Sequence, residues 1–230
     1  METKLMSNED FDLDKLLKLP GHSSSNEIVV NDFNESAAQE FRDKLLDASK
    51  GDPQRPIVVY IDSYGGQVDA LAKMIETMDE VPNPIITVAI GKAMSCGAVL
   101  LSHGDIRFCG KHARVMVHEV SGGAGGDVHD VYGDATEMKR LNKWFMGLLA
   151  KNCGIKGGYE ALRKMIKNAD GRNHYMDAES AVKFGIADCV GMPKVNRLKL
   201  YQVEVTPEKP RITKPKPEKK QRGKNPETKR

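Results

Sequence analysis

The sequence predicts an α/β fold on three observations. Runs of branched apolar residues alternate with amphipathic helical segments through the middle of the chain. Two of those runs, 56–62 and 85–90, lead straight into turns rich in Gly, Ser and Ala and then into helical periodicity. The 230 residues are also enough for one substantial domain with a sizeable core.

Residues 10–19 form the first candidate helix, with Phe11, Leu13, Leu16, Leu17 and Leu19 as its apolar set, and 20–25 breaks it. A short strand is expected at 27–30. Ala37, Ala38, Phe41, Leu45 and Leu46 recur at helical spacing over 37–48, and Lys50-Gly51-Asp52-Pro53 ends that helix. The run 56–62 reads as a buried strand. Leu71, Met74, Ile75 and Met78 mark one face of a helix over 68–80, which Pro82 and Pro84 stop. A strand at 85–90, a helix over 95–102, short strands at 106–109 and 113–117 and a Gly-rich loop at 121–126 follow. Long helical periodicity covers 128–151, and a further helix 159–166. Asp177 is placed to accept the first free N–H groups of a helix over 177–184, and Gly185 to end it. Strands at 186–190 and 198–205 complete the reading.

Charge is unevenly spread. Residues 206–230 hold ten Lys/Arg against three Glu, a net of +7, which leaves the rest of the chain at −4 out of a total of +3. With five prolines and little that is apolar beyond Ile212, this tail is expected to be disordered and solvated. Its chemistry would suit nucleic acid or an acidic partner. Cys96, Cys109, Cys153 and Cys189 show no metal-ligand spacing and fit free thiols in a reducing, cytoplasmic setting. Residues 1–19 lack the apolar core and cleavage site of a signal peptide, and no run of about 18 apolar residues offers a membrane span. No phosphate-binding GxxxxGK[ST] loop is present, so no cofactor is implied.

Three features carry chemistry. Ser95 lies in Gly91-Lys92-Ala93-Met94-Ser95-Cys96-Gly97-Ala98, at a strand-to-helix junction whose small neighbours admit a substrate backbone. The first N–H groups of the following helix lack internal partners and can hold a developing oxyanion. Gly65 and Gly66, after the strand 56–62, can turn their N–H groups toward an anion. His118 closes the strand Arg114-Val115-Met116-Val117, where a strand end presents it to a cleft. The other histidines, His22, His103, His112, His129 and His174, read as solvated. Each feature is commonplace alone, since most Gly pairs only make turns and most strand-end histidines are structural.

In order and spacing, however, they are similar to a known family. Tyr60-Ile61-Asp62-Ser63-Tyr64-Gly65-Gly66, the Ser95 segment, Arg107-Phe108-Cys109, Arg114-Val115-Met116-Val117-His118, and Tyr175-Met176-Asp177-Ala178-Glu179-Ser180-Ala181-Val182 with Gly185-Ile186-Ala187-Asp188 resemble the proteolytic subunit of the Clp protease (ClpP). The resemblance spans about 27–192. It implies a crotonase-like stack of ββα units, with Ser95 as nucleophile, His118 as general base, and the backbone N–H groups of Gly66 and Cys96 as oxyanion hole. Cys96 stands where the family usually has Met, and a backbone role tolerates that change. The family's third triad member, an Asp, falls on Asn173; nearby Asp170 is the alternative. An Asn can accept from the imidazole but lacks the charge that steadies an imidazolium.

The resemblance further implies a homo-oligomer of heptameric rings, stacked in pairs around a closed chamber and fed with peptide or protein substrate by a ring ATPase. The rings would meet through the segment 122–151. The chain then divides into a divergent segment 1–25, a peptidase domain 26–205 and the tail 206–230. An ATP-dependent serine endopeptidase is the expected function, with a phage-type role in head maturation as one setting. Against it stand a crotonase-type acyl-CoA enzyme, using the same N–H groups on a thioester, and a non-catalytic ring subunit.

Overall fold

A computed structural model describes residues 26–169 and 172–193. Its elements in order are β1 (Glu27–Val30), α1 (Glu35–Ser49), β2 (Ile57–Ser63), α2 (Val68–Glu80), β3 (Ile85–Met94), α3 (Cys96–Ser102), β4 (Ile106–Cys109), β5 (Arg114–His118), α4 (Val128–Asn152), α5 (Gly158–Ala169), β6 (Asn173–Met176), α6 (Ala178–Phe184) and β7 (Cys189–Val190). The fold is mixed α/β, built on a parallel sheet with helices, in keeping with the architecture that the resemblance implies. The expected helix at 10–19, the strand at 198–205 and the basic tail lie outside the described residues.

Strands β1, β2, β3, β4 and β7 lie side by side in parallel. β2 and β3 are apolar because both their faces are covered: Ile57, Val59, Ile61, Val88 and Ala89 are fully buried. The cover includes α1 and α2, through Ala38, Phe41, Leu45, Leu71, Met74 and Ile75, and α3, which is buried throughout. Asn34 starts α1 by accepting the Ala37 N–H at 2.9 Å.

β3 organises the site. Its first half pairs with β4 through Ile86–Ala89, while its last residues, Lys92–Met94, pair with β5. β5 in turn pairs antiparallel with β6, placing His118 directly opposite Asn173. The sheet therefore forks at β3, and the fork carries Ser95, His118 and Asn173.

Three differences from expectation matter most. β3 runs to Met94 rather than stopping at Ile90, because pairing with β5 satisfies its backbone beyond Gly91. The strand expected at 186–190 shrinks to Cys189–Val190. The N–H groups of Ile186 and Ala187 are already committed to Ala181 O, closing α6 beyond the left-handed Gly185. β6 has no counterpart among the expected strands; its four residues, Asn-His-Tyr-Met, become a strand only through pairing with β5.

Candidate active site

Ser95 sits between the last residue of β3 and the first of α3 with φ 54° and ψ −119°, and among the described residues it alone, other than glycines, has positive φ. Such a backbone costs about 1–3 kcal/mol and persists where its surroundings over-determine it. Here Ser95 N–H donates to Met116 O at 2.8 Å, and Ser95 O accepts from Ala98 N at 3.0 Å. The elbow leaves Ser95 half-buried, with its hydroxyl turned toward the end of β5.

The hydroxyl meets His118, whose Nε2 lies 2.7 Å from Ser95 Oγ. In the tautomer with its proton on Nδ1, the imidazole accepts the Ser95 O–H. Burial lowers the His118 pKa from the ordinary histidine value, so at neutral pH the ring is uncharged and able to take a proton.

Asn173 shares the sheet face of His118, since directly opposed residues of an antiparallel pair project together. Among the described residues, however, no hydrogen bond joins its exposed side chain to the imidazole. Asp170 lies outside the described residues.

The glycine turn closes the site from the other side. A Cβ on Gly65 (φ +103°) would fall 2.7 Å from Ser95 Cβ, 2.9 Å from Met94 O and 3.2 Å from Cys96 N. Only glycine allows the turn to lie against the elbow in this way. Gly66 is bridged to Phe33, with the Gln67 N–H donating to Phe33 O at 2.8 Å. Among the described residues, neither the Gly66 nor the Cys96 N–H donates to a backbone carbonyl outside its own element.

The Cys96 side chain faces inward. Its thiol donates to Gly66 O at 3.3 Å, and burial pushes its pKa up to about 11. At neutral pH it is a protonated thiol, unlike an activated nucleophilic cysteine.

Two polar clusters escaped the reading of the sequence. Lys92 pairs with Asp62 at 2.7 Å and lies 4.5 Å from the ring centre of exposed Tyr64, beside the glycine turn. Beyond His118, Glu119 and Val120 are tied to Asn142 of α4. The partners in these clusters are about 20 to 30 residues apart in the chain, so no local spacing announces them, although their adjacency to the glycine and histidine motifs is a usable signal. His103, expected to be solvated, has its side chain largely covered, with Nε2 2.9 Å from Asp79 Oδ1 and Nδ1 3.3 Å from Asn152 Nδ2.

Among the described residues, no helix is long and apolar enough to cross a membrane, and no group of three or more His, Cys, Asp or Glu side chains could hold a metal ion. A family model described as Clp protease matches residues 23–194, about three quarters of the chain and every described strand and helix from β1 to β7. The chain belongs to the Clp protease family.

Proposed function

We propose that this member of a serine-peptidase family is itself an endopeptidase subunit, with Ser95 as nucleophile and His118 as general base. The observation that carries this reading is the 2.7 Å contact between Ser95 Oγ and a neutral His118 Nε2 at a strained strand-to-helix elbow. In the reaction, His118 takes the Ser95 proton as Oγ attacks the scissile carbonyl carbon. The Gly66 and Cys96 N–H groups receive the carbonyl oxygen as it gains charge. His118 then passes its proton to the departing amine, leaving an acyl-enzyme on Ser95. A water molecule, deprotonated by the same imidazole, releases the acid product and restores the serine. Asn173 is the third member in this reading, its side-chain oxygen accepting a hydrogen bond from Nδ1–H once substrate has drawn the site together, since such contacts are often loose before substrate binds.

The chain is further proposed to act as a homo-oligomer, in paired heptameric rings enclosing the sites and served by a ring ATPase. What supports self-association is α4, whose first turns leave Val128, Val131 and Tyr132 exposed in the single chain. A phage-type role in head maturation is one proposed setting.

Mass-spectrometric labelling by a fluorophosphonate probe tests the assignment. Adduct on Ser95 in the wild-type protein and none in Ser95→Ala is the expected result. An assembled wild-type protein that takes up no probe would refute it and favour a non-catalytic subunit, while tight binding of CoA would point to the acyl-CoA reading.

A further inference from the structure

Past the His118 base lies a polar cluster that the proposed reaction does not itself use. His118 is the last residue of β5, and the chain leaves the sheet immediately after it. Glu119 Oε1 accepts from Arg163 Nε of α5 at 2.6 Å and from Asn142 Nδ2 of α4 at 3.1 Å. Asn142 Oδ1 accepts the Val120 N–H at 2.9 Å, and its Nδ2 reaches the Tyr159 hydroxyl at 3.4 Å. One side chain of α4 thus holds both residues that follow the base, the first by its side chain and the second by its backbone. Val120 and Tyr159 pack against the hydrophobic core, so the cluster stands on fixed ground.

We propose that Asn142 is a positioning residue for His118, holding the end of β5 so that Nε2 stays within reach of Ser95 Oγ. The proposal rests on the Ser95–His118 assignment above. Its logic lies in the two halves of a carboxamide. Val120 offers a donor and Glu119 an acceptor, and an asparagine meets both at once. An alanine meets neither and leaves a backbone N–H at the strand end without its partner. An aspartate keeps the bond to Val120 but sets a second carboxylate against Glu119. The need for such an anchor is plain at the ring itself, because among the described residues no hydrogen bond to Asn173 fixes its orientation.

The rate of Ser95 acylation by a fluorophosphonate, resolved into binding (KI) and chemical (kinact) steps, tests the role, with the thermal midpoint of each variant measured alongside. Asn142→Ala is expected to lower kinact about tenfold with KI within a factor of about two, because proton transfer depends steeply on the geometry of the base. Asn142→Asp should lose about as much. The double variant Asn142→Asp/Glu119→Gln should recover most of that loss, since a glutamine restores a donor opposite the new carboxylate. Wild-type kinact in Asn142→Ala overturns the positioning role alone. So does a double variant no better than Asn142→Asp at equal thermal midpoints. Absence of Ser95 labelling in the wild-type protein overturns the assignment and this proposal together.

Discussion

Replacing Gly65 by alanine adds one methyl group, and the structure states where it goes. The new Cβ would fall 2.7 Å from Ser95 Cβ, about 1 Å inside the ~3.5–4 Å optimum for carbon contacts. Gly65 also has φ +103°, a backbone that costs an L-residue about 1–3 kcal/mol, and overpacking adds about 1–3 kcal/mol. That total is smaller than the ~5–15 kcal/mol stability of an ordinary domain, so the variant should fold with a lowered thermal midpoint. The site fares worse. Relieving the clash displaces either the elbow or the glycine turn by about 1 Å, and a misplacement of that size costs about 100-fold in rate. The methyl would in addition sit 3.2 Å from Cys96 N, over a proposed oxyanion donor. Fluorophosphonate labelling of Ser95 should therefore slow about 100-fold in Gly65→Ala. Gly51→Ala, whose added Cβ meets nothing within 4 Å, should label as the wild type does. A Gly65→Ala protein that labels within about twofold of wild type would refute the argument that the turn and the elbow form one site.

Other outcomes follow from the same geometry. Asn173→Asp places a carboxylate opposite His118; it should speed Ser95 labelling by about 10-fold or more and move the acid limb of the pH profile upward, because a neighbouring negative charge favours the imidazolium. In the wild type that limb should lie below the ordinary histidine range of about 6.5, since burial lowers the His118 pKa and only the neutral ring can act as base; rates measured from pH 4 to 8 check the sign. Cys96→Ala should keep Ser95 labelling within about tenfold of wild type, and at pH 7 the native Cys96 should resist iodoacetamide while its pKa stands at about 11; loss of all labelling in Cys96→Ala would instead point to the thiol. Arg107 binds Asp188 with two nitrogens and donates to Asn152 O at 3.1 Å and Gly185 O at 2.9 Å, so Arg107→Ala should cost about 2–4 kcal/mol of stability in urea unfolding by stranding those acceptors.

The alternation of buried strand and amphipathic helix was legible because it is local: Leu71, Met74, Ile75 and Met78 announce α2 by spacing alone, and Asp177 and Gly185 announce both ends of α6. Ser95 and His118 stand out as candidates because each sits at the end of such an element, while their proposed roles and that of Gly66 come from the resemblance. What escaped depends on contacts distant in sequence. Strand β6 has no apolar alternation of its own and exists because β5 offers an edge. The extension of β3 through Gly91 and Lys92 depends on the same partner. Asn142 looks like any polar residue on an amphipathic helix until the fold brings the end of β5 to it. Local pattern thus revealed the elements and drew attention to the residues at their tips, while the scaffolding around those tips is tertiary.

That division bears on Asn173, the proposed third member of the triad. A Ser–His pair needs three things: an exposed hydroxyl, a neutral base in reach, and a counter-charge for the imidazolium that forms. The strained elbow supplies the first and burial of His118 the second. Both come from the fork of β3, β5 and α3. The third comes from β6, where the register sets an uncharged amide opposite His118, and burial alone shifts the His118 pKa. Burial without a counter-charge makes the resting base available but leaves the imidazolium poorly supported. The proposed enzyme should therefore acylate slowly and gain disproportionately from a carboxylate at position 173. If Asn173→Asp gave no gain, the imidazolium would have another source of support, and Asp170 would be the first residue to replace.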